Sequence, residues 1–363
     1  MKASIVRGFG QGFEMAEVDI AEPLGREVVV DVKASGLCHS DELAATHPLG
    51  YEPPMVLGHE VAGVVAAIGP DVSQVAIGDH VVGCLVQYCG ACRNCIEGSP
   101  VLCTNPEATV RGADQPPRLS ENGVAVAQGM GLGGFAQQVL IHENQLAVVP
   151  DQMPWPQAAL LGCGVVTGAG AVLNTANVQA GQTIVLIGAG GVGLNAINGA
   201  LVAGASTIIA IDLADEKLER ARSFGATHTI NSSTTDPVAE VKAITGMGAH
   251  AVFDFVGVDE VTQQALQMVR PGGGLYLIGV LDPATSLTIS NIDLLSRSAR
   301  VQGVYMGSTT AKRDIPLFAE LYLQGRFELD ALVSKQIALA EINEGYASLK
   351  DPTVARVVVT NLS

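Results

Sequence analysis

Basic side chains are scarce in this chain: 20 Lys and Arg stand against 36 Asp and Glu, for a net charge of -16. A surface of that sign repels phosphate backbones and anionic headgroups. Nucleic acid and membrane surfaces are therefore not expected as partners, and the acidity itself reads as solubility. Charged residues make up only 15% and apolar residues 48%, which excludes a disordered chain. No secretory leader is expected, because MKASIVRGFGQGFEM is broken by Arg7, Gly8, Gly10 and Gly12. No apolar run of about 18 residues escapes glycine interruption, so no membrane span is expected either. The expected compartment is the cytosol, where disulfides are rare and clustered cysteines more often hold metal. With 363 residues the chain has room for two domains.

Cysteine is also sparse, seven in all, yet four of them crowd into YCGACRNCIEGSPVLC. Cys89, Cys92, Cys95 and Cys103 have the spacing C-x2-C-x2-C-x7-C. Gly, Ala and Asn between them let the chain turn tightly enough for several sulfurs to face one point. Four thiolates suit a tetrahedral zinc with no open position, a site that holds a loop and performs no chemistry. A disulfide pair or an iron–sulfur cluster would also use such a run. No Cys-Pro and no second cysteine set follow, which disfavours the cluster.

The other three cysteines are dispersed. Cys38 follows the apolar segment EVVVDVKA, His59 and Glu60 open VAGVVAAIG, and Cys163 lies far downstream in LLGCGVVTG. Two Cys and one His at strand–loop junctions make three ligands, and three ligands with an open position are the pattern of a catalytic zinc. Any one of them alone would read as core. Cys84 has no such partner and reads as a small core residue.

A third signal is QTIVLIGAGGVGLNAINGALVAGASTIIAID. Gly188, Gly190 and Gly193 form G-x-G-x-x-G between a strand and a helix, and the next strand ends in Asp212. That is the dinucleotide fingerprint, with backbone N–H groups facing a pyrophosphate and a carboxylate facing the adenosine ribose. A carboxylate repels a 2′-phosphate, so NAD is expected over NADP. Further strands THTIN, AVFDFVG, GLYLIGV and RVQGVYM, with helices between, complete a doubly wound sheet. The N-terminal part has short strands and glycine turns, and residues 104–134 read as a long loop. The tail carries a helix in DIPLFAELYLQG and a strand in ARVVVT that returns to the first domain.

The motifs GLCHSD, LGHEVAG, CGACRNC, GCGVVTG and GAGGVG, in that order over nearly the whole chain, resemble the zinc-containing medium-chain alcohol dehydrogenases. The long loop resembles the longer, dimeric branch. The resemblance implies a two-domain α/β fold. A GroES-like β-barrel catalytic domain (1-164 and 308-363) would receive an inserted Rossmann domain with a doubly wound parallel sheet (165-307). It implies NAD and two zinc ions per chain, one on Cys38, His59 and Cys163 and one on Cys89, Cys92, Cys95 and Cys103. It makes Ser40 the acceptor of the substrate's hydroxyl proton, Asp41 the hydrogen-bond partner of His59, and Glu60 a neighbour of the metal. His39, Thr167, Gly191, Val192, Lys217 and Arg356 would join the glycines and Asp212 around NAD. Leu49 and Leu85 would line the pocket for a small-molecule alcohol or carbonyl substrate. The resemblance also implies a homodimer joined near 301–306. Many members carry a proton-relay histidine where this chain has Leu43, so the proton is expected to leave through water or His47. Where the formaldehyde–glutathione branch places an acid and an arginine, this chain has Leu49 and Glu107, which favours a hydrophobic alcohol. A polyol or other secondary alcohol, and a catalytically silent NAD-binding redox sensor, are the competing readings.

Overall fold

The computed structural model describes residues 1–279, 286 and 288–363. Val280, the last residue of the expected strand GLYLIGV, lies outside the described residues. Two compact units divide the chain: Met1–Cys163 with Thr310–Ser363, and Gly164–Thr309.

The first unit is built around the strand Glu27–Gly36, a β-branched run almost wholly buried along its length. It pairs antiparallel with Glu60–Ile68 on one side, and with Gln138–His142 and the terminal strand Arg356–Asn361 along the other. The tail therefore does return to this unit, where Val358 faces Gly36 and Val359 faces Ser35. A buried layer of Val28, Val30, Val61, Val81, Val139 and Ile141 lies on this sheet, and a second core gathers Ile5, Leu37, Leu57, Phe135 and Tyr346. Each large apolar side chain so buried contributes about 1.5–3 kcal/mol.

The segment 104–134 is more ordered than the sequence suggested. It contains a hairpin, Leu119–Glu121 with Val124–Gln128, whose second strand runs parallel to Met55–Val56. Its two-residue turn is Asn122-Gly123, both at positive φ (51° and 80°), which is the strongest short hairpin signal a sequence offers. Charge ties the segment to the central strand as well. Glu27 accepts from Arg111 at 2.6 Å and from Arg118 at 2.7 Å, with the side chains of all three at most 8% exposed. Burial alone would raise the Glu27 carboxyl. The hydrogen bonds from Arg111, the Leu24 N–H and Arg118 outweigh it and hold the group below its ordinary value.

The second unit carries a six-stranded parallel sheet in the order His228–Asn231, Thr207–Asp212, Thr183–Ile187, Ala249–Asp254, Val269–Leu277, Arg300–Gly303. In chain order that is 3-2-1-4-5-6, the doubly wound dinucleotide-binding topology. The edge strand is shorter than RVQGVYM suggested. After Gly303 the chain turns through Met306–Ser308, all at positive φ, and strand geometry ends there.

The helical run Trp155–Thr175 is long and apolar enough to cross a membrane by length and composition, and 83% of its apolar window is buried inside the protein. Its glycines, which the sequence reading treated as punctuation, are absorbed by two π-helical turns, Leu161–Val165 and Ala171–Thr175. Cys163 consequently lies in a helical turn and not at a strand–loop junction.

Candidate metal centres and dinucleotide site

The contiguous cysteine set forms a lobe around the four-residue helix Arg93–Ile96. The sulfurs of Cys89, Cys92, Cys95 and Cys103 all lie within 4.8 Å of one another. Backbone amides point at them: the Cys89 N–H reaches the Cys103 sulfur at 3.2 Å, and the Cys92 N–H reaches the Cys89 sulfur at 3.2 Å. Backbone hydrogen bonds at Thr104 and Cys95 pull the Cys92 thiol down to about 5, while burial and then Cys92 push Cys95 up to about 12. Thiols this close share protons unless a cation replaces them. The donor set fits a closed tetrahedral zinc. Thr310 fastens the lobe to the body of its unit by donating to the Gly98 carbonyl at 3.1 Å.

The dispersed set is assembled from three places in the chain. Cys38 stands just past the central strand as the N-cap of the helix His39–Thr46. His59 stands just before the strand Glu60–Ile68. Cys163 comes from the π-helical turn. Ligand atoms of Cys38, His59, Glu60 and Cys163 lie within 4.8 Å of one another, and all four residues are buried. His59 Nε2 is 3.2 Å from the Cys163 sulfur. On the far side of the ring, Nδ1 is 2.9 Å from Asp41 Oδ2, close in distance though poorly aligned for a straight hydrogen bond. The other Asp41 oxygen accepts from the Gly58 N–H at 3.0 Å. Burial would lower the His59 value, but the charges of Asp41 and Cys38 outweigh it and hold it well above the ordinary one. The hydrogen bond between Cys38 and Cys163, the largest cause in each, holds Cys38 low and Cys163 high. Burial pushes the Glu60 carboxyl up to about 7, against the opposing charge of Arg356 3.5 Å away. Two thiols and an imidazole backed by a carboxylate fit a zinc with an open position, and Glu60 is the adjacent spare carboxylate.

In the second unit, Gly188 has φ +97° and a Cβ on Gly193 would meet the Gly188 carbonyl oxygen at 2.0 Å, so both positions need glycine. A Cβ on Gly190 would find nothing within 4 Å. The space in front of it is open, at the start of the helix Gly191–Ala203. This is the cradle a pyrophosphate requires. Asp212 ends the second strand. Its Oδ2 accepts the Ala189 N–H at 2.8 Å, its Oδ1 accepts the Leu213 N–H at 2.8 Å, and Lys217 Nζ stands 3.9 Å from Oδ1. Val192 is half-buried in the same helix, and Thr167 is buried and donates to the Met306 sulfur at 3.6 Å.

The remaining sequence-derived residues fall as follows. His39 and Ser40 are exposed, with Ser40 Oγ 3.8 Å from the Cys38 sulfur. Leu43 is half-buried, and His47 is exposed with Nδ1 2.9 Å from Thr46 Oγ1. Leu85 packs against the valine core, whereas Leu49 is 39% exposed and Glu107 exposed. Arg356 is buried against Glu60 and donates to the Leu37 carbonyl at 3.3 Å. Two features were missed. One is the Glu60–Arg356 pair, which no spacing reveals across so much sequence. The other is Tyr346, whose hydroxyl donates to the Cys38 carbonyl at 3.2 Å and whose sequence context reads as ordinary core helix.

Residues 25–151 match the alcohol dehydrogenase GroES-like domain, and residues 191–322 match the zinc-binding dehydrogenase domain. The chain is 35% identical to an NDMA-dependent alcohol dehydrogenase of Amycolatopsis methanolica, covering 99% of this chain and 98% of the relative. It is 34% identical to an S-(hydroxymethyl)glutathione dehydrogenase of Paracoccus denitrificans, covering 95% of each. The crystal structure of benzyl alcohol dehydrogenase from Acinetobacter calcoaceticus superposes with a TM-score of 0.93 at 34% identity, over 99% of both chains. With two metal-fitting clusters, a dinucleotide cradle and relatives matched end to end, the chain belongs to the zinc-containing medium-chain alcohol dehydrogenases, a family of oxidoreductases.

Proposed function

We propose that the protein interconverts a hydrophobic alcohol and its aldehyde or ketone with NAD as the hydride partner. Cys38, His59 and Cys163 hold the catalytic zinc, and the four lobe cysteines hold a structural one. The observation that carries this reading is the buried Cys38–His59–Cys163 set with Asp41 behind the imidazole. Zinc bound there supplies Lewis-acid polarisation of a substrate oxygen. NAD supplies hydride acceptance at its nicotinamide carbon.

The chain's own residues do the rest. Asp41 holds Nδ1 of His59, so that Nε2 faces the cluster. Ser40 takes the hydroxyl proton. The isobutyl side chain of Leu43 has no group to pass it on, so it leaves to water, with His47 as the second route. Gly188 to Gly193 seat the pyrophosphate, and Asp212 takes the adenosine ribose with Lys217 beside it. His39, Thr167, Val192 and Arg356 are assigned to NAD on the resemblance, and Arg356 also serves as counter-charge to Glu60. Leu49 and Leu85, with no arginine at Glu107, support an uncharged, apolar substrate. A homodimer through the edge strand Arg300–Gly303 and a cytoplasmic location complete the proposal, because an uncovered edge invites pairing.

The test is a panel. Zinc-loaded protein is given benzyl alcohol, aliphatic alcohols, polyols and S-(hydroxymethyl)glutathione with NAD or NADP, with and without NDMA as added acceptor. NADH formation fastest with hydrophobic alcohols, and at least about tenfold better with NAD than NADP, is expected. Preference for the glutathione adduct or a polyol would replace the substrate class. NAD binding without turnover of any alcohol would replace the enzyme by a redox sensor.

A further inference from the structure

We propose that Tyr346 is a positioning residue for the buried metal centre: its hydroxyl fixes the Cys38–Asp41 turn, which supplies one ligand and steadies another. The inference rests on the metal assignment above. Tyr346 lies in the helix Ile342–Ser348 of the C-terminal segment, 308 positions from the cysteine whose carbonyl it bonds. Its ring is buried, stacked on Phe13 at 5.4 Å, and Phe13 in turn meets Phe135 edge-on at 5.8 Å. A site that needed only packing would be filled by phenylalanine, as its two neighbours are. A buried phenol is unfavourable unless its O–H finds an acceptor.

Here the acceptor is the carbonyl of Cys38, at 3.2 Å. That carbonyl also accepts the Asp41 N–H at 3.0 Å, which closes the first turn of the helix His39–Thr46. Both lone pairs of one oxygen are thus occupied, one by the turn and one by the C-terminal helix. The turn carries the Cys38 sulfur at one end. At the other it carries the Asp41 carboxylate, 2.9 Å from His59 and bonded to the Gly58 N–H. The flanking Leu37 is pinned from the same segment, its N–H donating to the Val357 carbonyl at 2.9 Å and its own carbonyl accepting from Arg356. Tyr346 is the one contact of this clamp that a single oxygen atom can remove without disturbing a strand.

The experiment compares Tyr346→Phe with the unmodified protein, full length and loaded with Zn2+ or Co2+. Metal equivalents, release to a chelator and the Co2+ absorption bands are measured. Loss of a hydrogen bond to a ligating side chain typically weakens metal binding about 10–100-fold, and a contact to the ligand's backbone should act at the lower end of that range. The expected result is release from the buried centre faster by about tenfold or more, lobe release unchanged, and altered Co2+ bands. The melting temperature of the metal-free protein should stay near that of the parent. A variant with parental release and bands overturns the inference alone. Equal acceleration at both centres together with a lower melting temperature also overturns it, leaving Tyr346 a packing residue. Unmodified protein that holds no metal at Cys38, His59 and Cys163 overturns the metal assignment and this inference together.

Discussion

The lobe and the buried centre offer the same chemistry, cysteine sulfurs placed to suit zinc, and are built in opposite ways. The lobe spans 14 positions, with half-exposed sulfurs steadied by its own backbone amides. The buried centre joins residues 104 positions apart, and its partners are side chains: Asp41 on His59, and Arg356 on Glu60. A local site makes its own fold and depends on metal for its shape. A non-local site is made by the fold and adds little to it.

The sharpest way to break that contrast is to delete one thiol from each. Cys163→Ser should lower alcohol turnover by roughly a thousandfold or more, about 4 kcal/mol of barrier, while one zinc stays bound and the melting temperature hardly moves. Cys92→Ser should remove the other zinc and lower the melting temperature by roughly 5–10 °C, the size of a 2–3 kcal/mol loss in a domain of this length. Elemental analysis and calorimetry on both variants decide it. Equal destabilisation by the two would erase the distinction.

A milder probe is pH. His59 in the metal-free protein is held well above its ordinary value, so it contributes stability below the unfolded value near 6.5, lost as pH rises through the folded one. Falling pH therefore favours the proton over the metal at the buried centre, by about tenfold per pH unit for each proton displaced. The thiols do not separate the centres, since each pairs a depressed one with a raised one, Cys92 with Cys95 in the lobe and Cys38 with Cys163 in the buried centre; the His59 imidazole does. On acid titration the buried centre should lose its metal with a step that follows His59 protonation and that the all-cysteine lobe lacks, as read by release to a chelator from each centre. The smallest effect is expected of Leu43→His. An imidazole titrating near 6.5 should raise alcohol oxidation at neutral pH by less than about tenfold and flatten its rise toward alkaline pH, because hydride transfer or NADH release then limits.

Legibility in the sequence follows the same division. The lobe's cysteine cluster could be read from one short run, although that run by itself also suits a disulfide pair or an iron–sulfur cluster. The parallel sheet was equally plain, because each strand is a short apolar run between turn signals; its 3-2-1-4-5-6 order came from the structure. Cys38, His59 and Cys163 could be nominated but not joined by spacing; the resemblance joined them. The Asn122-Gly123 hairpin was readable and was lost in the surrounding Gly, Pro and polar residues. Tyr346, the Glu60–Arg356 pair and the Glu27–Arg111–Arg118 ion cluster carried no signal. Each depends on which distant segments come to lie side by side, and one sequence does not encode that in any local pattern.

The terminal strand Arg356–Asn361 bears on how the protein is made. As the chain leaves the ribosome, Cys38 and His59 emerge early, but the strand that borders their sheet and the residues that grip Leu37 and Cys38 come last. The second unit, continuous from Gly164 to Thr309, has its six described strands available before Arg356–Asn361 emerges. Domains commonly fold in order of appearance, and contacts across long sequence separations form slowly. The nucleotide-binding unit should thus be complete while the catalytic unit still waits for the strand Arg356–Asn361. The nascent chain would be able to acquire its lobe metal before its buried one.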